Sequence, residues 1–135
     1  MFDYLKEKDL NDLCLIIKEN FDYIPKKSGL NKLMDDNNII KLVYRENNTI
    51  VASVFIETRY NYIKDEKYYY LNYLVVSKKY QRLGIGTKLL NKVEELARYH
   101  SIDYIEFTSS RENIYNFYEK NNYIKRYTNV FRKEI

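Results

Sequence analysis

The residues able to do chemistry concentrate in one stretch, Leu74-Val75-Val76-Ser77-Lys78-Lys79-Tyr80-Gln81-Arg82-Leu83-Gly84-Ile85-Gly86-Thr87-Lys88-Leu89-Leu90. A strand-like apolar run ends at Val76. A basic segment carrying two of the three glycines follows, and a helical pattern runs from near Gly84 to about Arg98. Strand, glycine loop and helix start together make an anion site. The first N–H groups of a helix lack partners inside it, and the helix dipole adds partial positive charge there. Glycine removes the side chain that would hold a phosphate away. Lys78, Lys79 and Arg82 add formal charge, so the stretch reads as a pyrophosphate cradle. Other glycine loops do not fit. The dinucleotide fingerprint and the kinase loop need a third glycine where Leu89 stands, and the P-loop needs a glycine five residues before Gly86.

The pattern that fits is Gln/Arg-x-x-Gly-x-Gly/Ala, read as Gln81-Arg82-Leu83-Gly84-Ile85-Gly86, with a Leu-x-Val strand end before it and Leu89-Leu90 after it. This resembles the coenzyme-A loop of the GNAT N-acetyltransferase superfamily. A second block strengthens the resemblance. Phe117, Tyr118, Glu119 and Lys120 match the Phe-Tyr-Glu-Lys run of the family, whereas Arg111, Ile114 and Asn122-Tyr123 depart from its Asn, Ala and Gly-Phe positions. The resemblance covers about residues 49 to 133 and, more loosely, the N-terminal helices. It implies an α/β (α+β) fold in a single N-acetyltransferase domain over residues 1–135. The sheet would be mixed and strongly twisted, with splayed central parallel strands flanked by helices. Acetyl-CoA, the co-substrate, would sit in the splay. Backbone groups of Leu74, Val75 and Val76 would pair with its pantetheine arm. Gln81 and the N–H groups of Arg82, Leu83, Gly84, Ile85, Gly86 and Thr87 would hold its pyrophosphate, and Arg111 would add a phosphate contact.

Acyl transfer to an amine sets three chemical demands. The amine must lose a proton, the carbonyl oxygen needs a hydrogen-bond donor as it gains charge, and the departing thiolate needs a proton or a donor. Tyr118 matches the family position for the last role, where it would also border the cofactor; a phenol of pKa about 10 suits a thiol of about 8.5. The alternative is a packing residue of the helix. The backbone N–H near Leu74 or Val76 is the candidate oxyanion donor. The base stays open. Asn72 stands where many relatives carry a Glu and cannot take a proton near neutral pH. Glu57 on the preceding strand, or waters past Tyr70 and Asn72, could serve instead, although a strand Glu is usually just solvated.

These residues need elements to position them. Phe2–Leu5 suits a short strand. Leu10, Leu13, Cys14 and Ile17 recur at helical spacing over about Lys8–Asn20, which makes Cys14 a buried, inert thiol. Pro25 ends that segment, and Ser28 to about Asp36 suits a second helix. Ile39–Arg45 and Thr49–Arg59 read as strands joined at Glu46-Asn47-Asn48. Lys67–Val76 is the strand entering the loop, with Tyr68, Tyr70, Asn72, Leu74 and Val76 on one face and Tyr69, Leu71, Tyr73 and Val75 on the other. The next helix buries Leu89, Leu90, Val93, Leu96 and Ala97, and His100 at its end suits a capping role. Tyr104–Thr108 should pair parallel with the strand before the loop. A helix over Arg111–Lys120 and a hairpin of Tyr123–Arg126 with Asn129–Lys133 complete the expectation.

Length and composition bound the function. The 135 residues are 45% hydrophobic and 31% charged, as for an ordinary globular domain. No apolar run nears the roughly 18 residues of a membrane span. The start, Met1-Phe2-Asp3-Tyr4, lacks the features of a signal peptide. The expectation is a cytoplasmic protein without membrane contact. One cysteine leaves no internal disulfide or cysteine-based metal site, and no metal is expected. A net charge of +4 suits an anionic co-substrate and is too weak to argue for nucleic acid. The sixteen tyrosines go with heavy use of Asn, Lys and Ile, the mark of an A/T-rich genome. The reading is therefore an acetyl-CoA-dependent N-acetyltransferase acting on a primary amine of a small molecule or protein, with a homodimer left open. The competing reading is an inactive acyl-CoA-binding sensor or interaction module of the same fold.

Overall fold

The computed structural model describes residues 1–135. Five strands form one sheet in the order β1 (Phe2–Tyr4), β2 (Ile39–Glu46), β3 (Thr49–Asn61), β4 (Glu66–Val76) and β5 (Tyr104–Glu106). The pairs β1–β2, β2–β3 and β3–β4 are antiparallel, and β4–β5 is parallel. Helices α1 (Leu10–Phe21) and α2 (Lys27–Asp35) cover one face, and α3 (Ile85–Tyr99) covers the other. The short α4 (Tyr115–Lys120) follows a 3₁₀ turn at Glu112–Ile114, so the helix expected from Arg111 opens with a tighter turn. No helix is long and apolar enough to cross a membrane.

Local chemistry explains most of these elements. Asn47 and Asn48, at φ 52° and 62°, make the two-residue turn between β2 and β3, the left-handed pair that hairpin twist demands. Asp22 at φ 57° ends α1. The apolar stripe of α3 packs Leu89, Leu90, Val93 and Ala97 against Leu42, Val54, Ile56, Tyr69 and Leu71 of the sheet. On the other face Leu13, Ile16 and Ile17 of α1 meet Val43, Ile50, Phe55 and Val75. Arg45, buried on β2, holds the N-terminal segment. Its guanidinium donates to both Asp9 oxygens at 2.7 Å and to Asp3 at 2.7 Å.

Three expectations are corrected. Cys14 is only half-buried on α1. On β4 the side chains do not keep one alternation to Val76. Ser53 pairs with Val75 and Phe55 with Asn72, so Tyr73 and Leu74 together oppose Val54 in a β-bulge, with Tyr73 at φ 51°. The extra residue switches the faces. Tyr69 and Leu71 point to the α3 side, as do Leu74 and Val76 beyond the bulge, whereas Val75 points to α1. The C-terminal hairpin does not form either. Residues 124–135 contain no strand and are exposed. Lys125, Arg126, Arg132 and Lys133 break the apolar pattern, and strand propensity without a half-buried surface to fit does not make a strand.

Candidate active site

The cradle is built from β4, a 3₁₀ turn at Lys78–Tyr80, and the start of α3. Gly84 caps the helix at φ 84°, a conformation in which glycine carries no steric penalty. The earliest hydrogen bond of the helix runs from Lys88 N–H to the Gly84 carbonyl, 3.0 Å. The N–H groups of residues 82–87 therefore have no backbone acceptor. Arg82 at φ 64° turns the chain just ahead of Gly84. Side chains of α1 tie the loop down. Asn20 Nδ2 donates to the Val76 carbonyl at 3.1 Å and Gln81 Nε2 donates to the same oxygen at 2.9 Å. Gln81 also donates to Asn20 Oδ1 at 3.2 Å, and Lys78 N–H donates to Glu19 at 2.8 Å. A loop held by four hydrogen bonds, three of them to α1, is largely pre-organised, and an anion arriving there need not order it.

The two glycines act differently. A Cβ on Gly84 would meet nothing within 4 Å, so its role is conformational. A Cβ on Gly86 would lie 2.9 Å from Phe117 Cζ. Gly86 thus lets the Phe117 ring of α4 seat on the first turn of α3, a packing reason that glycine spacing alone does not reveal.

Beside the cradle, β4 and β5 separate. Their pairing covers only Tyr68–Tyr70 with Tyr104–Glu106, while β4 continues to Val76. The gap is a cleft of about 130 Å³ lined by β4 (Leu71, Tyr73, Leu74), by Phe107–Arg111 after β5, and by Phe21 and Tyr118. Tyr118 is half-buried with its ring edge-on to Phe107, centroids 4.6 Å apart. Burial raises its phenol above the usual tyrosine value, and Arg111 and Ser109 nearby partly offset that rise. The group therefore stays protonated through the neutral range and can donate. The Arg111 guanidinium lies 4.4 Å from the Phe21 ring centroid, and Tyr23 and Tyr73 share a 2.7 Å hydrogen bond between hydroxyls.

Leu74, Arg111 and Tyr118 thus share the cleft. Ile85 and Val75 are buried at 4% and 2% exposure, which leaves only their backbones to a ligand. Neither Glu57 nor Asn72 lines the cleft. Glu57 borders a separate, more open depression with Asp36–Ile40, Thr58 and Tyr60. Its carboxylate accepts from Arg59 Nε at 2.8 Å, and that guanidinium lies 3.8 Å over the Tyr70 ring. Sequence reasoning missed Asn20, Glu19, Phe21 and Tyr73 as site residues. Asn20 and Glu19 reach the loop only across the packed α1–sheet interface, and Tyr73 enters through a bulge that alternation does not predict.

The sequence model of the acetyltransferase (GNAT) family matches residues 9–123, and the chain belongs to that family. No curated protein sequence matches it. Among solved structures, it is similar to a GNAT family acetyltransferase from Staphylococcus aureus, at 20% identity and TM-score 0.81 over 100% of this chain and 98% of that one. An aminoglycoside acetyltransferase from an uncultured soil metagenomic sample, in complex with sisomicin, is 20% identical with TM-score 0.80 over 100% and 96%. A transcriptional regulator from Bacillus halodurans is 12% identical with TM-score 0.85 over 100% and 99%. At these identities the structural likeness concerns the fold.

Proposed function

We propose that the protein transfers an acetyl group from acetyl-CoA to a primary amine. One observation carries the reading. Six consecutive N–H groups, residues 82–87, have no backbone acceptor at a helix start capped by a left-handed glycine, with Lys78, Lys79 and Arg82 close in sequence. Such a run fits a pyrophosphate, because backbone donors and helix dipole act on the same anion. The unpaired side of β4 beyond Tyr70 suits an extended amide-bearing arm, which would pair with strand backbone at Leu74. The Val76 carbonyl already accepts from Asn20 and Gln81, which favours Leu74 over Val76 for that pairing. When bound, acetyl-CoA supplies an activated acyl group and a good leaving thiolate. The chain's part is to orient the thioester in the cleft and to donate from the Tyr118 hydroxyl to the sulfur as it leaves. Aminoglycosides are the first acceptors to try, given the named activity of one structural neighbour.

A second reading, an acyl-CoA-binding module without turnover, draws on a specific observation. No carboxylate or imidazole lines the cleft to take the amine's proton, and Glu57 is engaged by Arg59. Water or a substrate amine of low pKa would have to serve. Calorimetric titration with acetyl-CoA, followed by thiol release against sisomicin, polyamines and peptide N-termini, tests both readings. Amine-dependent thiol release is the expected result. Tight binding with no release from any amine would favour the binding module, and absence of binding would refute both.

A further inference from the structure

Arg111 is the only charged residue among those lining the cleft. No carboxylate lies within ion-pair range of it. A half-buried guanidinium without a counter-charge, facing a cavity, is a site for an anion. Which anion is decided by what shares the cavity. Tyr118 lines it with Arg111, and no residue of the phosphate cradle, 81–87, does. The Arg111 side chain is also fixed in place. Its backbone N–H donates to Ser109 Oγ at 3.3 Å, and its guanidinium stacks on Phe21, whose own ring stands edge-on to Tyr73 at 5.3 Å.

We infer that Arg111 works at the sulfur end of the cofactor, stabilising the departing thiolate beside the Tyr118 hydroxyl, and not at its phosphates. This rests on the acetyltransferase reading. In the step concerned, the acceptor nitrogen bonds to the acetyl carbon and the carbon–sulfur bond breaks. The electron pair of that bond goes to sulfur, and the amine's proton goes to water. Negative charge thus appears on sulfur inside the cleft, beside a fixed cation that offsets it. Phe21 is a positioning residue. Its ring holds the guanidinium planar against the cleft wall, which lysine cannot reproduce.

The claim can be tested without knowing the acceptor, because free CoA carries the same sulfur as a thiol. A site that favours thiolate lowers the bound thiol's pKa below its free value of about 8.5. A cation within about 4–6 Å lowers an acid's pKa by roughly one to three units. CoA affinity should therefore rise about tenfold or more from pH 7 to pH 9.5, measured by calorimetry on the full-length protein. Tyr73 and Tyr118 also line the cleft, the Tyr23 hydroxyl shares a hydrogen bond with that of Tyr73, and Tyr115 donates to the Ser109 carbonyl. Acetyl-CoA has no thiol, so its affinity over the same range reports any titration of those phenols and is the control. Arg111→Gln should abolish the rise for CoA, Arg111→Lys should retain part of it, and Phe21→Leu should reduce it. An unchanged rise in Arg111→Gln would overturn the inference. So would an equal, pH-independent loss of affinity for both ligands, the signature of a phosphate contact. If the wild-type protein bound neither ligand, the acetyltransferase reading would itself fail, a distinguishable result.

Discussion

Gly86→Ala separates two physical roles of the glycine loop. The added Cβ would stand 2.9 Å from Phe117 Cζ and 3.3 Å from Cε1. Carbon atoms prefer about 3.5–4.0 Å, so the ring tip must retreat by roughly 0.7 Å. Overpacking of this kind costs about 1–3 kcal/mol, offset by the roughly 0.5–1 kcal/mol that alanine gains over glycine in a helix. The net loss is about 1 kcal/mol, or roughly 4 °C in Tm, so the variant should fold. Its main consequence lies one residue along, because Phe117 and Tyr118 are neighbours on α4 with centroids 5.5 Å apart. A misplacement of about 1 Å at a reacting group can cost on the order of 10²-fold in rate. We therefore expect Gly86→Ala to bind acetyl-CoA with nearly wild-type affinity by calorimetry while kcat falls roughly 10- to 100-fold. Adding Phe117→Leu, which removes the ring tip, should recover part of the rate. A tenfold or larger loss of affinity with unchanged kcat would refute this reasoning, since the new methyl group would then be obstructing the phosphate.

Further outcomes follow from the same geometry. Gly84→Ala should lose about 1–2 kcal/mol of stability in chemical denaturation through its left-handed φ alone, and Gly84→Asn should lose less, because Asn tolerates that region. Tyr118→Phe should keep its packing on Phe107 and its acetyl-CoA affinity while turnover drops on the order of 10²–10⁴-fold; full turnover where chemistry is rate-limiting would remove the donor role. Asp9→Asn should cost about 3 kcal/mol, because Arg45 is left buried with Asp3 as its remaining carboxylate partner. Hydrogen bonds from Arg45 hold the carboxyls of Asp3 and Asp9 below their usual range. The stabilisation they give is complete above pH about 4 and is lost as pH falls below it. Acid denaturation followed by circular dichroism should therefore be less steep in Asp9→Asn than in wild type over that window.

Local features were legible in the sequence wherever a residue type has few alternatives. Asn47-Asn48 allows a tight hairpin, and the spacing of Leu89, Leu90, Val93 and Ala97 allows one helix face. The β4–β5 parallel pair followed from the length of the crossover. Features that depend on two distant segments were not legible. The bulge at Tyr73-Leu74 arises from a register shift against Val54 and leaves no mark in the alternation of β4. The packing role of Gly86 was hidden because its partner, Phe117, lies about thirty residues on. Asn20 reaches the Val76 carbonyl only once α1 has packed on the sheet. In the tail, Ile124, Tyr127, Val130 and Phe131 have strand propensity but are exposed, since propensity supplies no partner edge.

The central claim is that the N–H groups of residues 82–87 receive the pyrophosphate of acetyl-CoA. The chain's three glycines make a direct test with a built-in control. In a ¹⁵N–¹H correlation spectrum titrated with acetyl-CoA, the amides of Gly84 and Gly86 should move strongly, whereas Gly29, on α2, should stay fixed. Saturable shifts at Gly84 and Gly86 alone are the predicted result. No shift at either, or shifts of all three alike, would contradict the account.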